Sequence, residues 1–100
     1  MSGEAIAIER EDDGIEGRYV VRLAPGAEGE LTYRRRAPNT LVVDHTFTPP
    51  EFRGRNIAAS LVERLIADAR AEGSRIVPVC PYVAVQFRRH PEWADLLAAP

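Results

Sequence analysis

Hydrophobic and polar positions along the chain follow two different periods. Up to Thr48 the apolar residues come in short runs that alternate with polar ones, the period-two pattern of half-buried strands. This pattern predicts strands over 5–10, 18–23, 31–36 and 40–48, separated by the charged run Glu11-Asp12-Asp13-Gly14, by Pro25-Gly26 and by Pro38-Asn39. The last strand, Thr40-Leu41-Val42-Val43-Asp44-His45-Thr46-Phe47-Thr48, is rich in β-branched residues. Turns this short favour antiparallel neighbours.

Pro49-Pro50 closes that half, and the period lengthens. Between Asn56 and Glu72, Ile57, Leu61 and Leu65 fall on one helical stripe, widened by Ala58, Val62, Ile66 and Ala69. Glu63, Arg64, Asp68 and Arg70 face the other way, and Gly73 stands where a helix ends in a left-handed residue. Residues 75–80 read as a buried strand. A long helix precedes it, so it can lie parallel to 40–48 through a right-handed crossover. Pro78 lacks an amide donor, which places that strand near a sheet edge. Pro81 opens a second helix to about Arg89, with Cys80 beside its N-cap. His90-Pro91 breaks it, and 92–98 form a last short helix. The predicted class is α+β, a mainly antiparallel sheet with a parallel pair at its last strands and the 56–72 helix across one face.

Composition narrows the setting. At 100 residues, 45% hydrophobic and 28% charged, the chain fits one globular domain over 1–100 and is too apolar for disorder. A net charge of −2 argues against general affinity for nucleic acid or an anionic membrane. Arg34-Arg35-Arg36 accordingly reads as a solvated charged edge rather than an RNA contact. One cysteine makes neither an internal disulfide nor a cysteine-based metal site, so no metal is expected and the setting is read as cytoplasmic. No apolar run reaches the ~18–20 residues of a membrane span, and Met1-Ser2-Gly3-Glu4-Ala5 lacks the pattern of a signal peptide. Every basic residue is arginine, so the chain carries no side-chain amine.

The segment that points to chemistry is Thr48-Pro49-Pro50-Glu51-Phe52-Arg53-Gly54-Arg55-Asn56-Ile57-Ala58-Ala59. A strand ends, a glycine-containing basic loop follows, and a long helix starts at once. The first-turn amides of a helix have no intrahelical acceptor and share the positive end of the macrodipole, which makes an anion site. Arg53 and Arg55 can pair with phosphate oxygens, and the small Ala58 and Ala59 let a diphosphate approach the backbone.

The segment resembles the signature of the GNAT superfamily of acetyl-CoA-dependent N-acetyltransferases, Arg/Gln-x-x-Gly-x-Gly/Ala after a strand ending in Val-x-Pro. Asp44-His45-Thr46, Pro78-Val79-Cys80-Pro81-Tyr82-Val83 and Arg89-His90-Pro91-Glu92-Trp93 are similar to its small Yjdj-type branch. The resemblance implies a minimal GNAT-like fold whose two parallel strands splay at a notch, and acetyl transfer from the CoA thioester to an amine. It implies that Thr46, Phe47 and Thr48 meet the pantetheine arm through main-chain groups. It also implies that Arg53, Gly54, Arg55, Asn56, Ile57, Ala58 and Ala59 cradle the pyrophosphate, with the thioester beside Cys80. Asn56 stands at the first glycine position of the signature; if that position is left-handed, asparagine is the non-glycine residue best suited to it. Only residues 11–16 separate the first two strands, where the usual fold has two helices. Acceptor recognition is therefore expected to be shallow or supplied by a protein partner or a second copy.

For the chemical step, Cys80 is the sharpest candidate, as an acetyl-accepting thiol at a helix start or as a structural cysteine. His45 and His90 are the only imidazoles. His45 shares a strand face with Leu41, Val43 and Phe47 on strict alternation, which predicts a core histidine; His90 is placed to cap a helix. Asp44 is a candidate water-relayed base and Tyr82 a candidate acid for the departing thiolate. The competing function is a CoA-binding or partner-docking module without turnover.

Overall fold

The computed structural model describes residues 7–99. In chain order the elements are β1 (Ile8–Asp12), β2 (Glu16–Ala24), β3 (Ala27–Arg36), β4 (Thr40–Phe47), a 3-10 turn (Pro50–Phe52), α1 (Ile57–Glu72), β5 (Arg75–Pro78), α2 (Pro81–Arg89) and a second 3-10 segment (Pro91–Leu96). The strands form one sheet in the order β1-β2-β3-β4-β5, antiparallel throughout except for β4 and β5, which run parallel. That is the predicted arrangement. β5 sits at the edge, where Pro78 leaves no inner ladder bond unmade. Beyond it, Leu97 bridges Ile76, and the Ala98 amide reaches the Ile76 carbonyl at 2.9 Å. No helix among the described residues is long and apolar enough to cross a membrane.

One face of the sheet carries the core. Tyr19, Val21, Leu31, Tyr33, Leu41, Val43 and Ile76 alternate inward and meet the Ile57, Leu61, Leu65 and Ala69 stripe of α1, with Val83 and Phe87 of α2 and Trp93 completing the cluster. Gly29 allows the close approach at the start of α1: a Cβ there would lie 3.0 Å from Ile57 Cγ2. Among the described residues, no helix covers the opposite face. Arg18, Arg22, Glu28, Glu30, Thr32 and Arg34 point there, joined by cross-strand ion pairs such as Arg18 to Glu30 at 2.9 Å.

Several details differ from the expectations. The first strand runs on through Glu11 and Asp12, because the turn needs only Asp13 and its neighbours; Ala5 and Ile6 lie outside the described residues. Residues 92–98 do not make an α-helix but a 3-10 segment from Pro91, after which the chain joins the sheet edge. Arg34, Arg35 and Arg36 lie not on an edge but at the exposed end of β3, an inner strand.

A polar network ties β1 to α1 across the sheet margin. Arg10 donates to Tyr33 Oη at 2.8 Å and pairs with Glu72 at 3.1 Å, and the buried Tyr19 hydroxyl donates to Asp68 at 2.8 Å. Arg35 and Tyr33 both hydrogen-bond Asp12. The Arg35 guanidinium holds the Asp12 carboxyl well below the usual carboxylate range, and Arg10 lowers that of Glu72. Burial, then the bond to Asp68, pushes the Tyr19 phenol far up. Depressed carboxylates stabilise the fold above their unfolded values of about 4, and that stability fades as pH falls below it. A raised phenol contributes below about 10, and its contribution is lost as pH climbs beyond. Thermal midpoints followed by circular dichroism should therefore form a plateau between these limits, with the acid limb flattened in Asp12→Asn. An unchanged acid limb in that variant would show that Asp12 is not a source of it.

Candidate functional site

The site begins with an irregularity in β4. Opposite β3, Tyr33 pairs with Val43 and Thr32 pairs with His45, so Asp44 is an extra residue, a β-bulge. A bulge shifts the alternation by one. Leu41 and Val43 point into the core, Asp44 and His45 are both exposed, and Thr46 turns inward again. His45 is thus not the core histidine that strict alternation predicts: its side chain is 55% exposed on the open face, with Nε2 4.0 Å from a Glu30 carboxylate oxygen. Asp44 lies on the same face, accepting from the Thr32 hydroxyl at 2.6 Å and facing Arg34 at 3.6 Å. The polar run Asp44-His45-Thr46 does not by itself mark the bulge, because it fits either register of β4 on β3.

At the same level β4 and β5 part. Their ladder ends at the Val43–Pro78 pair, and the Val79 and Cys80 amides both converge on the Val43 carbonyl at 2.9 Å as the chain turns into α2. β4 continues to Phe47 with only β3 beside it. The result is a notch open at the carboxyl ends of a parallel pair, where open α/β sheets place ligands. Thr46 and Cys80 face each other across it, Oγ1 to Sγ 3.6 Å, with Cys80 5% exposed at the N-cap of α2. Phe47 and Val79, 43% and 57% exposed, stand on its two rims.

The loop after β4 brings the remaining predicted residues together. The Arg53 Nε donates to the Thr48 carbonyl at 3.0 Å and braces the loop, while the Arg55 guanidinium lies over Phe52, 5.1 Å from the ring centre. Gly54 has φ 84° and Asn56 φ 60°, so both are left-handed. The asparagine expected to tolerate this conformation therefore does adopt it, and its side chain makes no cap hydrogen bond. The first amide of this stretch to find an acceptor is that of Ser60, which bonds the Asn56 carbonyl at 3.0 Å. Among the described residues, none of the amides from 54 to 59 donates to a protein acceptor. Five of the six residues that carry them, Gly54, Asn56, Ile57, Ala58 and Ala59, line a hollow of about 220 Å³ together with Thr48, Phe52, Arg53 and Tyr82. Among the described residues, the buried Thr48 hydroxyl oxygen has no partner. Burial pushes the Tyr82 phenol up, so it stays protonated at neutral pH.

Larger hollows, of about 570, 480, 380 and 270 Å³, lie elsewhere. Among the described residues, the hollow at the start of α1 is the one that combines unpaired amides with an orphaned hydroxyl, and this rather than volume makes it the candidate site. The structure therefore groups Thr46, Phe47, Thr48 and Cys80 at the notch and Arg53 through Ala59 with Tyr82 at the helix start. It sets His45 and Asp44 on the far side of the sheet. His90 belongs to neither group: its ring stacks on Trp93 at 4.0 Å and its Nδ1 lies 3.0 Å from Glu92.

A family model described as GCN5-related N-acetyl-transferase matches residues 18–96. A solution structure from Staphylococcus aureus, described as GCN5-like, superposes with a TM-score of 0.73 at 19% identity, over 95% of this chain and 90% of that one. The ribosomal-protein-alanine N-acetyltransferase of Brucella melitensis biovar Abortus 2308 superposes with a TM-score of 0.58 at 19% identity, over 88% of this chain and 65% of that one. At these identities the two structures share the fold. No curated protein matches the sequence.

Proposed function

Since the chain belongs to the GCN5-related N-acetyltransferase family, we propose that the hollow at the start of α1 holds the pyrophosphate of acetyl-CoA and that the notch holds its thioester arm. The residues present fit this cofactor. Six consecutive amides without protein acceptors, a buried Thr48 hydroxyl without a partner and two small alanines offer donors and room to a diphosphate. That set of unsatisfied donors is the observation that carries the reading.

When bound, acetyl-CoA supplies an acyl carbon joined to a thiolate leaving group. The chain's own groups divide the remaining work. Thr46, Phe47 and Thr48 orient the arm through the free edge of β4, and a backbone amide near Phe47 or Thr48 donates to the carbonyl oxygen as it gains charge. His45 and Asp44 lie on the far side of the sheet, so the proton shed by the amine nitrogen as the new C–N bond forms would pass to water. The sulfur that leaves with the electron pair of the broken C–S bond would take its proton from the Tyr82 hydroxyl, which burial keeps protonated, and Tyr82 would regain one from water. Cys80 bounds the thioester end. The Thr46 hydroxyl is the one hydrogen-bond partner of the Cys80 thiol among the described residues, and His45 lies across the sheet, so no base is placed to draw off the thiol proton. This supports direct transfer over an acetyl-cysteine relay. A lone cysteine supports a cytoplasmic setting, where thiols stay reduced.

Incubation with acetyl-CoA and a panel of amines should release free CoA faster than buffer hydrolysis, and calorimetry should show heat with CoA alone. Binding without release would instead favour the non-catalytic CoA-binding module. Cys80→Ala should retain turnover within about tenfold, the scale of a lost packing contact of ~1–1.5 kcal/mol. The chain has no lysine, so a hydroxylamine-labile acetyl adduct in the native protein, absent from Cys80→Ala, would point to the relay.

A further inference from the structure

Two side chains shut the inner end of the notch. The ladder between β4 and β5 stops at Val43 and Pro78, and just beyond it Thr46 and Cys80 meet, Oγ1 to Sγ 3.6 Å. At that separation the two atoms are in contact, and no carbon atom passes between them. Neither side yields easily. Thr46 is β-branched, which restricts its χ1, and it pairs in register with the fully buried Leu31 of β3. The Cys80 amide donates to the Val43 carbonyl and its carbonyl accepts from the Ala84 amide, both at 2.9 Å. Pro81 then fixes the first turn of α2. Cys80 itself is 5% exposed and belongs to the same apolar cluster as Val43 and Val83. This contact differs from the rest of the core in facing an opening: among the described residues, no strand pairs with β4 on that side past Val43.

We propose that the Thr46–Cys80 contact is a stop that selects the acyl group of the donor, admitting acetyl and turning away longer chains. The proposal rests on the acetyl-transfer reading of the notch, and it concerns the thioester rather than the amine. A close-packed interior takes up an extra methylene only by off-rotamer side chains or backbone shifts, and here the backbone is pinned on both sides. Longer chains therefore run into the pair, whereas the acetyl methyl ends in front of it. Removal of one γ atom would open a recess lined by the apolar cluster, the kind of space that takes up hydrocarbon rather than water.

Calorimetry on the full chain with CoA, acetyl-CoA, propionyl-CoA and butyryl-CoA, with no amine present, reads the stop without turnover. The native protein should bind butyryl-CoA at least about tenfold more weakly than acetyl-CoA, the low end of what a misplaced methylene does in a pocket. Cys80→Ala should shrink that ratio at least about fivefold, the smallest cost of overpacking that it relieves. Cys80→Ser keeps a γ atom in place and should keep the native preference. Thr46→Ala opens the stop from β4 and should shrink the ratio as Cys80→Ala does, so the test stays decisive if Cys80→Ala fails to fold. A general loss of stability would not move this ratio in folded protein, because it compares two ligands of one variant. Equal native affinity for all the thioesters, a native ratio in folded Cys80→Ala and Thr46→Ala, or a ratio lost as fully in Cys80→Ser as in Cys80→Ala would each overturn the stop while sparing the transfer reading. Absence of heat with CoA itself in the native protein would instead remove the transfer reading.

Discussion

Ala58→Asp is expected to weaken CoA binding by at least about 100-fold, the factor that corresponds to a like-charge cost of several kcal/mol in a binding site. The fold should survive. Ala58 is the second residue of α1, and a carboxylate in a helix's first turn interacts favourably with the macrodipole, typically by ~0.3–1 kcal/mol. The melting temperature should therefore hold or rise slightly while the heat of CoA binding disappears. This opposition distinguishes an anion cradle from a loop that is merely solvated and basic: in the second case the aspartate would change neither quantity much. A folded Ala58→Asp protein that binds CoA as tightly as the parent would falsify the assignment of the cradle.

Leu61→Ala is expected to act in the opposite way, on the fold and hardly on the site. Leu61 is fully buried one turn into α1, at the centre of the cluster that joins the helix to the inner face of the sheet. Truncating such a leucine costs about 2–5 kcal/mol, a large share of the ~5–15 kcal/mol that holds a domain of this size. At ~4–8 °C per kcal/mol, the midpoint should drop by at least about 10 °C. Because the cradle consists of backbone groups that α1 supplies whenever it is folded, saturating CoA should restore part of the lost midpoint by mass action. It should restore none in a double variant that also carries Ala58→Asp. Thermal melts with and without CoA measure both effects; a midpoint shift from CoA in the double variant would place its binding somewhere other than the start of α1.

The helix and the basic loop of unpaired amides at its start were legible in the sequence for one reason. Both depend on local features: the Ile57, Leu61 and Leu65 spacing, Gly73 at the end, and a glycine-arginine loop that meets the helix start. Even the left-handed Asn56 was readable, because few side chains tolerate that conformation. His45 was not. Its side of the sheet depends on a single inserted residue in the pairing of β4 with β3, and alternation along one strand carries no information about its neighbour's register. The Thr46–Cys80 contact was hidden for the same reason, since it joins residues 34 apart across two strands that stop pairing just before them.

Pattern and turn chemistry along the chain determined the elements, the parallel pairing of the last two strands and the loop of unpaired amides before the long helix. Those are set by residues within a few positions of one another, or by a crossover whose handedness is nearly fixed. Tertiary structure alone decided which side chains share a face. The bulge at Asp44 sends Thr46 toward Cys80 and sends His45 and Phe47 to the open side. Among the described residues no helix covers that side, so its charged side chains meet solvent. Pairing register is a property of two strands together, and so it appears only when the sheet is assembled.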